Sequence, residues 1–245
     1  MFPHTDPIDL GELLHLDEPL VLSAAEIVDL LGPQLRERRK ERIDEVICER
    51  TFCVVPVMDG VYDLGNVAAV LRSAEGMGYQ EAHFIDTQPD HKPAQRITQG
   101  ADKWLDLHRW REPSRCVKAL KERGYLIAAT HLDADVELEE MDFTKPTALV
   151  FGNEHDGVSQ EVLEQADLRC VIPLRGFIQS FNISVAAAIA LYEAMKQRIE
   201  VLGSQGDLDE EQREILRALF YVRASNQPGR LIPRLWRRRH EGERS

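Results

Sequence analysis

From residue 52 onward, short apolar runs alternate with amphipathic helical patterns along most of the chain. Buried strands are predicted at residues 52–58, 81–86, 125–130, 147–152 and 168–174. Helices are predicted between and after them, at residues 66–78, 113–123, 159–166 and 180–202. Strands that alternate with helices form a parallel sheet whose two faces are covered. The sequence therefore predicts an α/β fold, a mostly parallel sheet with helices on both faces.

The 245 residues are 43% hydrophobic and 29% charged, which is typical of a globular protein and excludes a disordered or fibrous chain. We divide the chain into an acidic N-terminal extension (1–33), a helix (34–50), a main domain (51–202) and a C-terminal helix with a basic tail (203–245). Ser23 and Glu26 form a capping-box pattern that starts a short helix. Asp207 is expected to cap the last helix, which ends near Arg223.

The net charge of −12 argues at first against a polyanionic partner. Its distribution is uneven, however, because residues 1–33 hold seven acidic residues and no Lys or Arg, whereas residues 228–245 hold six Arg and two Glu. The helix at 34–50 either faces a nucleic acid or is a solvated helix with ion pairs between successive turns. The tail is either a nucleic-acid contact or a disordered basic end. The candidate RNA-binding residues are Arg36, Arg38, Arg39, Lys40, Arg234, Arg237, Arg238 and Arg239.

Several common kinds of site and segment are missing from the sequence. Cys48, Cys53, Cys116 and Cys170 lie far apart without a C-x-x-C pair, and the histidines show no metal-binding spacing, so no metal site is predicted. Isolated thiols are typical of a reducing compartment. No apolar run approaches the ~18 residues that span a bilayer, and residues 1–7 show no signal-peptide pattern. We therefore expect a cytoplasmic protein without a membrane partner.

Polar residues follow the strands in three segments, and the first runs from residue 59 to 72. Asn66 lies at the predicted start of a helix, and Arg72 interrupts the apolar run V-A-A-V-L within it. A guanidinium at such a position needs a phosphate or a carboxylate partner. The spacing alone leaves open whether that partner is a ligand or a structural salt bridge.

The second and third segments follow later strands. At residues 151–159, Gly152 and Gly157 bracket Asn153, Glu154 and Asp156. At residues 172–194, an irregular loop leads to Ser180 and Asn182 at the start of a helix rich in alanine. Ligands of α/β proteins gather at the carboxyl ends of strands, so both segments are candidate sites. An ordinary polar turn and close helix packing are the alternatives. Neither G-x-G-x-x-G at a helix start nor a P-loop is present, so a nucleotide-like cofactor would be held differently.

In this order, the three segments resemble the motifs of the SPOUT superfamily, specifically the SpoU/TrmH family of RNA ribose 2′-O-methyltransferases. The matching stretches are N-V-A-A-V-L-R (66–72), L-V-F-G-N-E-H-D-G-V-S (149–159) and I-P-L-R-G-F-I-Q-S-F-N-I-S-V-A-A-A-I-A-L-Y-E (172–193). The resemblance covers residues 36–198. Within the family, the chain is most similar to enzymes that methylate guanosine 18 in the tRNA D-loop, which likewise carry short helical extensions at both ends. The acidic stretch 1–33 does not match that pattern.

The resemblance implies a C-terminal deep trefoil knot, a homodimer with the active site across its interface, and S-adenosyl-L-methionine as cofactor. It implies that the cofactor site is lined by Thr130, Gly152, Ile172, Leu174 and Phe181, where most members have Leu at the position of Phe181. The implied catalytic and substrate positions are Arg72, Asn66, Glu154, Ser180 and Asn182. A guanidinium is a poor proton acceptor, so we expect Arg72 to stabilise a forming alkoxide and hold a phosphate. We expect Glu154 to fix a neighbouring Asn or Arg.

Two other functions compete with tRNA methylation. A ribosomal RNA 2′-O-methyltransferase of the same family usually carries an added N-terminal RNA-binding domain, for which residues 1–33 are too short and too acidic. A non-catalytic RNA-binding member would show eroded motifs, whereas the five catalytic positions are all present. From the charge distribution we expect the acidic extension to be dispensable and the basic end to be required.

Overall fold

The computed structural model describes residues 2–86, 100 and 103–242, and the chain forms two compact units. We call residues 50–207 the sheet unit, and residues 2–49 together with 208–242 the terminal unit. The strands are β1 (Ile8–Asp9), β2 (Val21–Leu22), β3 (Val54–Asp59), β4 (Glu81–Ile85), β5 (Asp106–Trp110), β6 (Leu126–Thr130), β7 (Val136–Glu137), β8 (Thr147–Phe151) and β9 (Leu168–Val171). The helices are α1 (Leu10–Leu13), α2 (Ala24–Leu31), α3 (Glu37–Cys48), α4 (Leu64–Gly76), α5 (Pro113–Glu122), α6 (Gln160–Leu163), α7 (Ile183–Leu202), α8 (Glu210–Ala224) and α9 (Pro228–Gly242).

The sheet unit contains one seven-stranded sheet in the order β5-β4-β3-β8-β6-β9-β7. Every neighbouring pair is parallel; in the central pair, for example, Val57 of β3 lies opposite Val150 of β8. The α/β fold with a mostly parallel sheet is therefore confirmed. The edge strand β5 was not predicted, because its sequence D-L-H-R-W is neither a continuous apolar run nor a simple alternation.

The sheet packs against a helical layer on each face. Successive side chains of a strand point to opposite faces, so Val54 and Met58 of β3 pack in the layer that contains α4 and α7, and Val55 and Val57 pack in the layer that contains α5 and α6. All four side chains are at most 1% exposed. The central strands are thus buried on both sides, as parallel sheets require.

The terminal unit is built mainly from helices of both chain ends. Helix α2 packs against α8 and α9, and α3 packs against α8. The predicted capping box is confirmed at the start of α2, where the Glu26 N–H donates to Ser23 Oγ over 3.2 Å and the Ser23 N–H donates to the Glu26 carboxylate over 2.8 Å. The acidic N-terminal stretch therefore shares a core with residues 208–242.

In the C-terminal region one expectation is corrected, and the alternative of a disordered tail is not supported for residues 228–242. Asp209, and not Asp207, caps α8, because the Asp207 carboxylate is already bound by the Arg198 guanidinium at 2.7 Å and by the Thr51 hydroxyl at 2.9 Å. The basic tail forms the helix α9 despite an internal proline, Pro233. No helix in the described part of the chain is both long and apolar enough to cross a membrane.

Candidate active site

The three polar segments of the sequence meet at one edge of the sheet. The strands β3, β8, β6 and β9 are consecutive neighbours and run in the same direction, so their carboxyl ends lie side by side. These strands end at Asp59, Phe151, Thr130 and Val171. This is the edge at which parallel α/β sheets bind ligands.

A directed chain of hydrogen bonds joins the three segments at this edge. The Ser184 hydroxyl and N–H both donate to Asn182 Oδ1, over 2.6 and 2.9 Å. Asn182 Nδ2 donates to Asn66 Oδ1 over 3.1 Å, and Asn66 Nδ2 in turn donates to the Glu154 carboxylate. Each amide oxygen thus accepts and each amide nitrogen donates, which fixes the orientation of both amides. We call these four residues the amide relay.

Helix starts place the two asparagines of the amide relay. Asp63 is the N-cap of α4 and accepts from the Asn66 N–H over 2.8 Å, so Asn66 lies in the first turn. Asn182 is itself the N-cap of α7, with non-helical backbone angles that let its side chain accept from Ser184. Local capping chemistry therefore positions side chains that are 116 residues apart in sequence.

A tight turn after β8 presents Glu154. The backbone groups of Asn153 and Gly157 bond to each other over 3.0 and 3.1 Å, and Asn153 Oδ1 accepts from the two N–H groups that follow Glu154. A Cβ atom at Gly152 would lie 1.8 Å from the Gly157 carbonyl carbon, so only glycine fits there. The buried Asp59 carboxylate accepts from the Ser159 N–H over 2.7 Å and ties the far end of the turn to β3.

Arg72 and Ser180 lie outside the amide relay. Both side chains are exposed. Neither forms a hydrogen bond or an ion pair with the residues that the structure describes, so the alternative of a structural salt bridge for Arg72 finds no partner there. Arg72 follows Asn66 by six residues, about 9 Å along the axis of α4. Its guanidinium is open to a ligand.

The residues expected around a cofactor follow the strand ends. The Thr130 hydroxyl donates to the Val150 carbonyl over 2.9 Å, which fixes the end of β6 against β8. Ile172, Leu174 and Phe181 are half-buried, and residues 172–181 lie outside helices and strands. Half-buried apolar side chains beside irregular backbone suit a nucleoside, which presents a flat apolar ring with polar edges. The residues present therefore fit an adenosine-containing cofactor.

A cluster of titratable residues, in which Glu81 and His83 are buried and His108 is half-buried, lies between β4, β5 and α5. Glu81, His83 and His108 have the ligand atoms of a metal site close together, but Arg123 donates to both Glu81 oxygens, and the Trp110 indole donates to His83 Nδ1 over 2.9 Å. His83 therefore carries its proton on Nε2 and donates it to Glu81 over 2.8 Å. Burial would raise the pKa of Glu81, but the bonds from Arg123, His108 and His83 lower it well below its ordinary value. Burial also lowers the pKa of His83. We interpret the cluster as structural.

The candidate RNA-binding residues all lie in the terminal unit. Three of them form ion pairs: Lys40 with Glu37 at 2.6 Å, Arg237 with Glu18 at 3.1 Å and Arg239 with Asp29 at 4.0 Å. The hydrogen bond to Glu37 raises the pKa of Lys40. The others are exposed and form no ion pair with the described residues: Arg36, Arg38, Arg39, Arg234 and Arg238. Exposed ion pairs stabilise a fold by only ~0–1 kcal/mol, so the paired arginines can exchange partners at little cost.

Sequence reasoning missed two residues of this edge. Ser184 lies at the helix start predicted to suit a ligand but is not among the predicted catalytic positions, although its spacing of two from Asn182 in S-F-N-I-S was a usable signal. Asp59 was read only as the start of a polar segment. Its role in holding the turn depends on a contact across 100 residues that no local pattern shows.

Comparison with known proteins shows what this arrangement is similar to. A model of the SpoU rRNA Methylase family matches residues 54–192. A tRNA (guanosine(18)-2′-O)-methyltransferase of Thermus thermophilus is 38% identical over 165 residues, which cover 67% of this chain and 85% of that protein.

Two solved structures are similar as well. The Aquifex aeolicus TrmH/SpoU tRNA modifying enzyme matches with a TM-score of 0.68 and 36% identity. The match covers 78% of this chain and 98% of the Aquifex chain. The SpoU methyltransferase AviRb of Streptomyces viridochromogenes, solved in complex with AdoMet, matches with a TM-score of 0.55 and 28% identity. The match covers 63% of this chain and 61% of the AviRb chain.

Proposed function

Because the chain belongs to the SpoU rRNA Methylase family, we propose that it methylates the ribose 2′-hydroxyl of guanosine 18 in tRNA, with S-adenosyl-L-methionine as methyl donor. The observation that carries the proposal is the amide relay, which joins the three polar segments at the carboxyl edge of the sheet. The choice of guanosine 18 rests on what the Thermus relative is named for.

The cofactor would be held at the strand ends. Ile172, Leu174 and Phe181 would enclose the adenosine, while the backbone around Gly152 and the end of β6 at Thr130 would bound the site. When bound, S-adenosyl-L-methionine supplies an electrophilic methyl group. Phe181 is larger than the leucine that most members have there, so we expect its ring to cover more of the adenine than leucine would.

Arg72 would contact the reacting nucleotide. A guanidinium remains protonated at any physiological pH, so it cannot accept the 2′-hydroxyl proton. As the 2′-hydroxyl proton passes to water, Arg72 can stabilise the negative charge that develops on the 2′-oxygen and bind an adjacent phosphate. The exposed and unpaired state of its side chain among the described residues supports this role. The amide relay would hold Asn66 and Asn182 beside the ribose, and Ser180 would orient the ribose or the carboxylate of the cofactor.

The terminal unit would contact the rest of the tRNA. Its exposed arginines on α3 and α9 supply positive charge, and phosphate contacts dominate the affinity of proteins for RNA. The negative net charge of the whole chain does not oppose this, because much of the acidic surplus lies in residues 1–33.

A second copy of the chain would complete the site. Helix α7 exposes Val185, Tyr192 and Ile199 at 46%, 53% and 43%, and their spacing of seven residues places them along one stripe. In the loop that precedes α7, Phe177 and Ile178 are more exposed still. An apolar stripe beside an active site indicates an interface, so we infer a homodimer.

We also infer the deep trefoil knot of the family in residues that follow β8. Its support is the position of β9 between β6 and β7 in the sheet, although both of those strands precede it in the chain. Since tRNA substrates are cytoplasmic, we expect the enzyme to act there.

The assignment is tested by incubating the full chain with labelled S-adenosyl-L-methionine and unmodified tRNA, and then mapping the methylated nucleotide. We expect label on the ribose of guanosine 18. Label in ribosomal RNA alone would replace the proposal with the rRNA activity, and tRNA binding without methyl transfer would indicate a non-catalytic member.

The role of Arg72 is tested by comparing Arg72→Ala and Arg72→Lys with Arg115→Ala, which removes an exposed arginine of α5. We expect Arg72→Ala to lower kcat by about 100-fold or more, because it removes a charged group from the transition state. The lysine variant should recover part of the rate, and the control should match the wild type. Near-normal kcat in Arg72→Ala would rule the role out.

The dimer is tested with Tyr192→Glu and its matched control Glu200→Gln, an exposed polar position of the same helix. A charge in the stripe should shift the molar mass in light scattering to that of the monomer and abolish methyl transfer. A monomeric wild type with full activity would contradict the inference.

A further inference from the structure

A cavity of about 660 Å³ lies within the terminal unit, between residues 14–20 and helix α9. Leu14, Leu20 and Pro233 give it apolar walls, Trp236 adds an aromatic one, and Glu18 and Arg237 contribute opposite charges. The volume is within the ~300–1,000 Å³ typical of small-ligand sites. Polar and apolar groups contribute about equally to its lining, which suits a ligand that has a flat apolar face and polar edges.

We propose that this cavity binds an unpaired guanine of the tRNA, stacked on Trp236 and hydrogen-bonded to Glu18. The proposal rests on the proposed function, because it takes tRNA as the partner of the terminal unit. It assigns a role to the acidic extension, whose residues 14–20 form one wall.

The aromatic wall suits a base. Trp236 is half-buried, and its ring lies against that of His240 at 4.0 Å between centroids, which limits its motion. Proteins bind unpaired bases by stacking them on such rings, since every base has an aromatic face.

The carboxylate selects the base. Two carboxylate oxygens accept together from the N1–H and the amino group of guanine, whereas the Watson–Crick edges of adenine, cytosine and uracil do not offer two adjacent donors. The Glu18 side chain is 78% exposed, and its partner Arg237 is 64% exposed, so this ion pair is weak and can open. Arg237 is then available for the phosphate of the same nucleotide.

The surrounding charge favours RNA over a peptide. Helix α9 carries five arginines in fifteen residues, and of these Arg234 and Arg238 are exposed and unpaired within the described chain. An aromatic cavity beside unpaired arginines is the arrangement by which proteins hold single-stranded nucleotides.

The first test measures tRNA affinity and its salt dependence for Trp236→Leu and Trp236→Phe. The leucine variant keeps an apolar wall but cannot stack, so affinity should fall about tenfold while the slope of log K against log salt stays unchanged. The phenylalanine variant should keep most of the affinity. As a control, Arg234→Gln lies outside the cavity and should reduce the slope. Unchanged affinity of a folded Trp236→Leu protein, as judged by its unfolding temperature, would overturn the proposal.

The second test is Glu18→Gln, for which the two possible roles of Glu18 predict opposite results. If the Glu18 carboxylate only repels RNA, the neutral variant should bind tRNA more tightly. A carboxylate that accepts from guanine loses an acceptor, so affinity should fall at least threefold. Tighter binding by Glu18→Gln would overturn the proposal.

Methyl transfer by the wild-type chain distinguishes a failure of the guanine site from a failure of the proposed function. Label on guanosine 18 together with unaffected binding by both variants would refute the guanine site and leave the proposed function intact. A wild type that puts no label into tRNA would refute the proposed function itself.

Discussion

At the scale of single residues, the amide relay depends on which atom of each side chain donates. An asparagine amide can turn over and exchange its oxygen with its nitrogen at little cost unless its partners forbid it. Ser184 supplies both donors to Asn182 Oδ1, and Glu154, which only accepts when ionised, receives the last donor from Asn66. Ser184 and Glu154 therefore determine the orientation of the two amides between them.

Replacing Ser184 tests this control of orientation. Ser184→Ala removes one of the two donors to Asn182, and a hydrogen bond contributes ~0.5–1.5 kcal/mol, so kcat should fall about two- to tenfold while KM for tRNA changes little. Ser184→Thr keeps the hydroxyl and should retain most of the rate. A matched control is Ser73→Ala, whose hydroxyl bonds to the Ala69 carbonyl within α4. Equal kcat for Ser184→Ala and the wild type would refute the positioning role.

The buried cluster around Glu81 makes stability depend on pH. Burial lowers the pKa of His83 below its ordinary value of 6.5, so the unfolded chain takes up a proton near that pH that the folded chain does not. The lowered pKa of Glu81 acts in the same direction below its ordinary value of 4.5, because protonation then favours the unfolded state. The contribution of this cluster to the free energy of unfolding is thus fully present above about pH 7 and declines as the pH falls.

We predict that the unfolding temperature of the wild type drops between pH 7 and pH 5, and that His83→Gln reduces this drop. The variant should cost about 1–3 kcal/mol at pH 7, since Trp110 or Glu81 loses a buried partner. The exposed His155→Gln is the control and should keep the dependence of the wild type. Parallel pH profiles for His83→Gln and the wild type would contradict the assignment.

At the scale of elements, the turn after β8 combines a predictable strand with a constraint that no pattern shows. The run T-A-L-V-F identified β8 because five apolar or β-branched residues precede a glycine. The reason that residue 152 must be glycine is the closure of the turn onto Gly157, which only the folded backbone reveals. A polar sequence can also conceal an element: β5 was not predicted because it carries only Leu107 and Trp110 as apolar residues.

Gly152→Ala tests the turn. The added Cβ would overlap the backbone at Gly157, so the turn must open, and we expect a loss of about 3 kcal/mol in the free energy of unfolding together with the loss of methyl transfer. Gly76→Ala is the matched control in the same unit. Its Cβ would meet nothing within 4 Å at the end of α4, so that variant should be neutral or slightly stabilised. A stable and active Gly152→Ala enzyme would show that the turn is not required.

At the scale of the whole molecule, charge and packing assign different roles to the acidic extension. Its charge pattern alone indicated a dispensable segment. The packing of the extension argues against that expectation, because Leu10, Leu22, Ile27 and Leu31 are at most 1% exposed and α2 packs against α8. The apolar residues were visible in the sequence, but short helices with separate caps do not show which distant helix they pack against. That pairing is a long-range property, as is the bond between Asn66 and Asn182.

Deleting residues 2–33 therefore tests packing against charge. The deletion removes α2, which packs against α8, a helix whose side chains Leu216 and Phe220 are now at most 1% exposed. Each of the four buried side chains of the extension contributes ~1.5–3 kcal/mol, so the terminal unit should lose its cooperative unfolding and the protein should aggregate.

Asp29→Asn is the matched control. It removes a charge 73% exposed and 4.0 Å from Arg239, and should change stability by less than ~0.5 kcal/mol. A deletion variant that unfolds like the wild type and methylates tRNA at the same rate would restore the view that the extension is dispensable. Unfolding of the deletion variant, with Asp29→Asn unaffected, would show that the apolar residues of the extension, and not its charge, are what the fold requires.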